Sequence, residues 1–303
     1  MYEQVSSNKR RSFLLVAGFI VLVGLVVLAV DRLLGLGLAF LVVALVLVVA
    51  GSFAAYWKSD ALALAMSLAK PADPDTYARL HTLIEGLCIA AGLPKPRVYV
   101  IHDSSPNAFA TGRSPKHAAI AVTTGLLEKM NRIELEGVVA HELSHVKNYY
   151  SLVSTLAVTF VGMVTLMADF ALRFMWWGGP RQRDHDSGRH GGAGAIVAVF
   201  GFVLLLVAPL VAKVMQASVS RRREALADFS GVQLTRYPPG LVSALEKLRD
   251  DGTVVHSGSR ATAHLWIESP LARTPSEGRL AWLNRLFETH PPLEERIQAL
   301  KEL

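Results

Sequence analysis

The chain opens with two long apolar runs. Residues 13–30 are 18 uncharged, Leu- and Val-rich positions behind Lys9, Arg10 and Arg11, and residues 33–57 form a second run after Asp31 and Arg32 interrupt the first. Each is long enough to cross about 30 Å of hydrocarbon as a helix, so the pair predicts a transmembrane hairpin with a very short loop. A basic segment ahead of an apolar run is also how a cleaved signal peptide begins. The length of the run, the lack of a convincing small-residue cleavage site and the second span behind it favour an uncleaved anchor.

The pattern then becomes mixed. Residues 70–75 form a turn in which Asp75 can cap a helix through Tyr77, Leu80, Leu83, Ile84, Leu87 and Ala91, stopped by Gly92, Pro94 and Pro96. Residues 97–101 and 118–123 are β-rich and predict a small sheet. Between them, residues 107–112 (Asn-Ala-Phe-Ala-Thr-Gly) read either as an edge strand that aligns a peptide by strand addition or as an ordinary hairpin loop, and spacing does not choose between the two. Thr124 or Asn131 can start the helices that follow, and Ile133, Leu135, Val138, Val139, Leu143 and Val146 predict a largely buried one.

After Lys147, Asn148 and Tyr149 a third uncharged run covers residues 151–168, with Asp169 and Arg173 one helical turn apart near its far end. Its Ser, Thr and Asp residues leave it readable as a span or as a buried helix of a catalytic domain. A polar, Gly-rich stretch at 178–192 leads to a fourth run at 193–212 that contains Pro209. Residues 250–278, rich in Gly, Ser and Pro, predict a mobile loop near a substrate entrance. The organisation expected is a transmembrane hairpin at 1–58, a cytoplasmic part at 59–150, a second hairpin at 151–216 and a further cytoplasmic part at 217–303.

Composition supports the membrane reading: 51% of the 303 residues are hydrophobic, 18% are charged, and the mean hydropathy is +0.35. The net charge of +6 carries no basic patch interleaved with aromatics, which argues against nucleic acid as a partner. The bases sit beside the apolar runs instead, where they suit anionic lipid and set topology. Lys9, Arg10, Arg11 and Lys58 flank the first hairpin, and Lys147, Lys213, Arg221, Arg222 and Arg223 flank the second; the positive-inside rule makes that side cytoplasmic, against Arg181, Arg183 and Arg189 in the outer loop. The single cysteine, Cys88, excludes an internal disulfide and reads as helix packing.

The candidate chemistry lies in His141-Glu142-Leu143-Ser144-His145, a HExxH pentapeptide. In a helix the two histidines, four apart, share a face and can offer two imidazoles to one zinc ion while Glu142 serves as general base. A chance match on a solvated helix is the bland alternative, but the apolar flanks bury this one, and two buried His and a buried Glu are costly without a metal or partners. His145 stands about six residues, roughly 9 Å of helix rise, from the third apolar run, which puts the metal at the bilayer surface. No third His follows at short spacing. Glu224 and Asp228 share a helical face in residues 220–228: Glu224 can complete a His, His, Glu set and Asp228 can accept a ligand's ring N–H, or both can be ordinary charges at a solvated helix start. His185 and His190 lie in the Gly- and Arg-rich loop, and His81, His102, His117, His256 and His264 have no ligand-like spacing.

HELSH at 141–145, a hydrophobic hairpin and SRRREALAD at 220–228, with NAFATG at 107–112 and HPPLEERIQAL at 290–300, together resemble the HtpX family of membrane-bound zinc endopeptidases, which is related to the CaaX prenyl endopeptidases. The resemblance covers most of the chain. It implies His141, His145 and Glu224 as zinc ligands, one ion per chain, and Glu142 as catalytic base. It further implies that Asp228 stands behind the ligands, that Asn107 contacts the substrate backbone, and that His290 and Arg296 support the site, His290 in stabilising the oxyanion. Without the resemblance, His290-Pro-Pro reads as a helix entry with Pro in the first turn of the 293–300 helix.

The fold expected is therefore a mainly α integral membrane protein, with a zincin-like metallopeptidase domain, a small β-sheet and about four transmembrane helices. The function expected is endoproteolysis of membrane proteins in their cytoplasmic regions, for quality control under stress, at a bacterial inner membrane with the catalytic domain facing the cytoplasm. Partners expected are membrane protein substrates and the lipid bilayer, with self-cleavage conceivable. Two rivals are a CaaX-type peptidase acting on lipidated tails and a non-catalytic membrane scaffold with a vestigial metal site.

Overall fold

In the computed structural model, residues 2–177, 221–253, 255–256, 262, 265–268 and 291–303 are described. The two apolar runs form helices α1 (Tyr2–Leu34) and α2 (Leu38–Met66), and both are long and apolar enough to cross a membrane. Asp31 and Arg32, expected from their charge to interrupt the first run, remain inside the helix. The break comes at Gly35 and Gly37, whose φ values of 63° and 90° suit a residue without Cβ. Asp31 helps close that turn: its carbonyl accepts from the Gly35 N–H and its Oδ1 from the Gly37 N–H, each at 2.8 Å. Along α2, Val42, Val43, Val46, Leu47 and Phe53 are exposed, an apolar surface that lipid would solvate and water would not.

The third apolar run lies in α6 (Tyr150–Trp177). Over residues 150–164 it is a protein-facing helix: Leu152, Leu156, Ala157, Phe160 and Val164 pack with Phe19 and Val23 of α1, and Phe19 stacks on Phe160 at 4.2 Å. Its Thr155 and Thr159 hydroxyls donate to the carbonyls four residues back, so burial leaves them bonded. Four spans were expected; among the described residues two helices meet the length and hydropathy of a span. The run at 193–212, the stretch at 178–192 with its His185 and His190, and His290 lie outside the described residues.

The part of the chain after α2 is built on a four-stranded sheet in the order β1-β2-β4-β3. Strands β2 (Arg97–Ile101) and β4 (Ala119–Thr123) pair in parallel, Val98 opposite Ile120, close to their predicted positions. Strand β3 (Ala108–Thr111) pairs antiparallel with β4 and forms the outer edge, so this part of residues 107–112 is an edge strand and not an ordinary hairpin loop. Strand β1 (Lys70–Pro71), antiparallel to β2, lies where a turn was expected. Asp73 rather than Asp75 organises the following turn, accepting from the Thr76 N–H at 2.8 Å, and α3 (Ala78–Ala91) ends at Gly92 with φ 66°.

Strand alternation gives the sheet two buried faces. Val98, Val100, Ala108, Ala110, Ile120 and Val122 join the main core, while Ile101, Phe109, Ala119 and Ala121 pack on Ala63 and Leu64 of α2 and Val158 of α6. The sheet is thus held between the main core and helices α2 and α6, and an ion pair from Arg97 to Asp60 fastens β2 to the end of α2. Cys88 is buried in the main core, and burial pushes its thiol up to about 11, consistent with a packing role.

Helix α4 (Thr124–Lys129) begins at a cap from Thr123, and α5 (Arg132–Lys147) at a capping box made by Asn131 and Glu134. Helices α7 (Arg221–Thr235) and α8 (Pro238–Asp250) pack on α5, and α9 (Leu293–Lys301) packs on α8. The α5–α7 approach needs Gly231, where a Cβ would stand 3.0 Å from the His141 nitrogen and 3.2 Å from its Cα. Residues 265–268, expected in a mobile loop, are instead anchored: Leu265, Trp266 and Ile267 are buried, and Trp266 meets Phe109 edge to face at 4.9 Å. Their short apolar run finds a partner on β3, which local composition could not reveal.

Candidate metal centre

Helix α5 presents His141 and His145 from successive turns, and α7 brings Glu224 from the first turn after the undescribed stretch. All three side chains are buried. The two Nε2 atoms are 3.1 Å apart, and Glu224 places Oε2 at 3.7 Å from His141 Nε2 and Oε1 at 3.6 Å from His145 Nε2. Ligand atoms about 2.0–2.2 Å from one tetrahedral zinc would be about 3.4 Å apart, so the donor set has the right types and spacing.

The tautomer fits as well. His141 Nδ1 lies 2.8 Å from Asp228 Oδ1, a bond that puts the ring proton on Nδ1 and leaves the Nε2 lone pair free for a metal. Asp228 is held in turn by Arg296, whose Nε and Nη2 donate to its two oxygens at 2.9 and 2.7 Å. Burial alone would raise the Asp228 carboxyl, but the Arg296 charge and the hydrogen bonds from His141 and Arg296 outweigh it and hold the group well below the usual carboxylate range. Desolvation would lower the Arg296 guanidinium, and Asp228 more than restores it. Arg296 and Asp228 therefore both stay charged and together fix the His141 ring.

Glu142 is fully buried, and among the described residues neither carboxylate oxygen has a hydrogen-bond partner by distance and angle. Burial and the neighbouring charge of Glu224 raise its carboxyl well above the ordinary range, tempered by the Ala110 backbone N–H. A carboxylate raised in this way is a stronger proton acceptor, which suits a general base. It borders a cavity of about 10 Å³ with Ala110, His145, Tyr150, Ser151 and Trp266, room for one water.

Asn107, expected to contact the substrate backbone, turns its amide toward Glu268. Its Nδ2 donates to the Glu268 carbonyl at 2.8 Å and its Oδ1 accepts from the Glu268 N–H at 3.3 Å and from the Ala108 N–H at 3.0 Å. Both ends of the amide are therefore engaged with the chain's own backbone. The Ile267 N–H donates to the Ala108 carbonyl at 2.9 Å, and Arg296 Nη1 donates to the Ile267 carbonyl at 3.1 Å. Residues 265–268 thus form a wall between β3 and the arginine that orders the metal ligand. Sequence reasoning missed this wall, and also Tyr150, whose ring sits 4.7 Å from that of His145 with the Arg223 guanidinium 4.8 Å above it.

Residues 74–303 match the model of Peptidase family M48. A protease HtpX homolog of Caldanaerobacter subterraneus subsp. tengcongensis is 41% identical over 309 residues, covering 100% of this chain and 98% of its own length. One from Streptococcus uberis is 39% identical, with 100% of both chains covered. Among solved structures, S. mikatae Ste24p aligns with a TM-score of 0.48 and 18% identity over 99% of this chain and 67% of that one.

Proposed function

The chain belongs to peptidase family M48, as an HtpX-type membrane metalloprotease, and from that premise we propose that it is a zinc-dependent endopeptidase that cuts membrane proteins in cytoplasmic regions close to the bilayer. The observation that carries the reading is the convergence of His141, His145 and Glu224 beside a buried Glu142, under an edge strand. Zinc suits two imidazoles and a carboxylate, and when bound there it would supply a Lewis acid and lower the pKa of a water to about 7.

The chain's own residues do the rest. Glu142 takes a proton from the attacking water and returns it to the amide nitrogen as the C–N bond breaks, so one water is consumed per bond and the base is regenerated. Asp228 and Arg296 hold His141 in the ligating tautomer, and β3 offers an extended substrate a strand to pair with. The junction of α1, α2 and α6 with the sheet supports cutting near the membrane. On this reading the protein is a multi-pass protein of a bacterial inner membrane, its catalytic part faces the cytoplasm, and its substrates are damaged membrane proteins cleared under stress.

The test compares detergent-purified wild type, Glu142→Gln and Glu224→Ala, stripped with chelator and resupplied with zinc. Wild type should hold about one zinc and cleave an unfolded membrane protein, and Glu142→Gln should hold zinc but cleave about 10²–10⁴-fold more slowly. Glu224→Ala should bind zinc poorly. Equal cleavage by wild type and Glu142→Gln would overturn the assignment.

A further inference from the structure

A cleft of about 680 Å³ opens where the two N-terminal helices meet the catalytic part. It is lined by Lys9, Ser12, Phe13 and Val16 of α1, Tyr56 and Trp57 of α2, Tyr149 and Leu152 at the start of α6, and Arg113, Ser114 and His117 just beyond β3. Two cations face it. The Lys9 ammonium lies 4.6 Å over the Tyr149 ring and the Arg113 guanidinium 4.4 Å over the Trp57 ring. Stacking of this kind fixes where a cation sits but leaves its charge uncompensated. Among the described residues no acidic side chain lines the cleft, and neither cation has an ion-pair partner.

The lining combines three chemistries. Lys9 and Arg113 supply cations stacked on Tyr149 and Trp57, and Phe13, Val16 and Leu152 supply apolar surface, with Phe13 71% exposed. Aromatic residues with basic neighbours mark the headgroup level of a bilayer, and α1 and α2 run from this level into their apolar stretches. A soluble anion would match the cations but leave the apolar surface bare. A lipid matches both.

We propose that this cleft binds one anionic phospholipid, its phosphodiester between Lys9 and Arg113 and an acyl chain along Phe13, Val16 and Leu152. Arg113 follows β3 by two residues, and the Gly112 N–H between them donates to Thr155 of α6 at 3.2 Å. The bound headgroup therefore sits at one corner of the substrate-aligning strand and fixes the height of the catalytic part above the bilayer.

The inference rests on α1 and α2 lying in the membrane, which alkaline extraction of membranes carrying the full chain tests separately. Release into the supernatant would end the membrane reading itself. With the chain retained in the pellet, zinc-loaded protein is purified in neutral detergent, offered phosphatidylglycerol or phosphatidylcholine, and bound lipids are counted by native mass spectrometry. Wild type should keep one phosphatidylglycerol in preference to phosphatidylcholine. Lys9→Gln with Arg113→Gln should bind it about 30-fold more weakly, the loss of two surface attractions to an anionic lipid. Lys9→Arg with Arg113→Lys should keep it. The proposal is overturned if wild type holds both lipids equally, if inorganic phosphate displaces the lipid in full, or if the charge-preserving pair loses it too.

Discussion

Asp228 and Arg296 act as one unit behind His141, and a double-mutant cycle tests this. Asp228 and Arg296 are 3% and 4% exposed and share two bonds of 2.9 and 2.7 Å, while Asp228 also receives the His141 Nδ1–H at 2.8 Å. Asp228→Asn keeps shape and one acceptor but leaves a buried guanidinium unpaired, which costs about 3–5 kcal/mol of stability. It also loosens the His141 tautomer, and zinc affinity should fall about 10–100-fold. Arg296→Met strips the carboxylate of its partner and should cost a similar amount. The double variant removes both charges, so its cost should be lower than the sum of the single costs by about 2–3 kcal/mol. Zinc affinity is read by competition with a chromophoric chelator, and stability by thermal unfolding in one detergent at one scan rate. If the two substitutions add to within about 0.5 kcal/mol, or if Asp228→Asn binds zinc as wild type does, the relay is not a unit and the reasoning fails.

Gly231→Ala would normally gain about 1 kcal/mol of helix propensity, but its Cβ would meet the His141 backbone at 3.0 Å, so a net loss of about 1–3 kcal/mol and weaker zinc binding are expected in melting and chelator competition. Asn107→Ala removes both bonds to Glu268 and should speed hydrogen exchange at the Ile267 amide; a raised KM with exchange unchanged would mean that Asn107 serves substrate alone. Burial raises the Glu134 carboxyl, but bonds from Lys247, Ser243 and the Asn131 N–H outweigh it and leave the group lowered. Its stabilising contribution is then complete above the ordinary value of about 4.3 and is lost as pH falls through the lowered folded value, so Glu134→Gln should lose less melting temperature than wild type between pH 6 and pH 3.

Much of the site was legible because its signals are local. The i, i+4 spacing of His141 and His145 fixes a shared helical face, and Asn131 followed by Glu134 marks the start of that helix. The ends of β2 and the stop at Gly92 were readable for the same reason. The hairpin turn was misplaced because charge was taken as the breaker, whereas two glycines with positive φ make the bend and Asp31 closes it. The edge position of β3 follows from the parallel pairing of β2 with β4, a contact that skips over β3 in sequence. Arg296 lies in a short, charge-rich helix that looks solvated, yet its partners Asp228 and Ile267 are 68 and 29 residues away. Only the family resemblance pointed to it.

The same hydrogen bonds limit how a substrate can use the edge strand. In an antiparallel pair, alternate residues of the outer strand turn their N–H and C=O away from the sheet, and here the Ile267 bond to the Ala108 carbonyl shows that Ala108 and Ala110 are those residues. At Ala108 both groups are engaged, the N–H by Asn107 and the carbonyl by Ile267. At Ala110 the N–H is turned toward Glu142, and the residue borders the small cavity with His145. A peptide that paired along the whole of β3 would have to displace residues 265–268 and break the Arg296 bond to Ile267, loosening the residue that anchors Asp228. Pairing confined to Ala110 keeps that relay intact and brings the peptide next to the general base. The geometry therefore favours short strand addition at the Ala110 end, with the remaining substrate contacts made beyond the sheet.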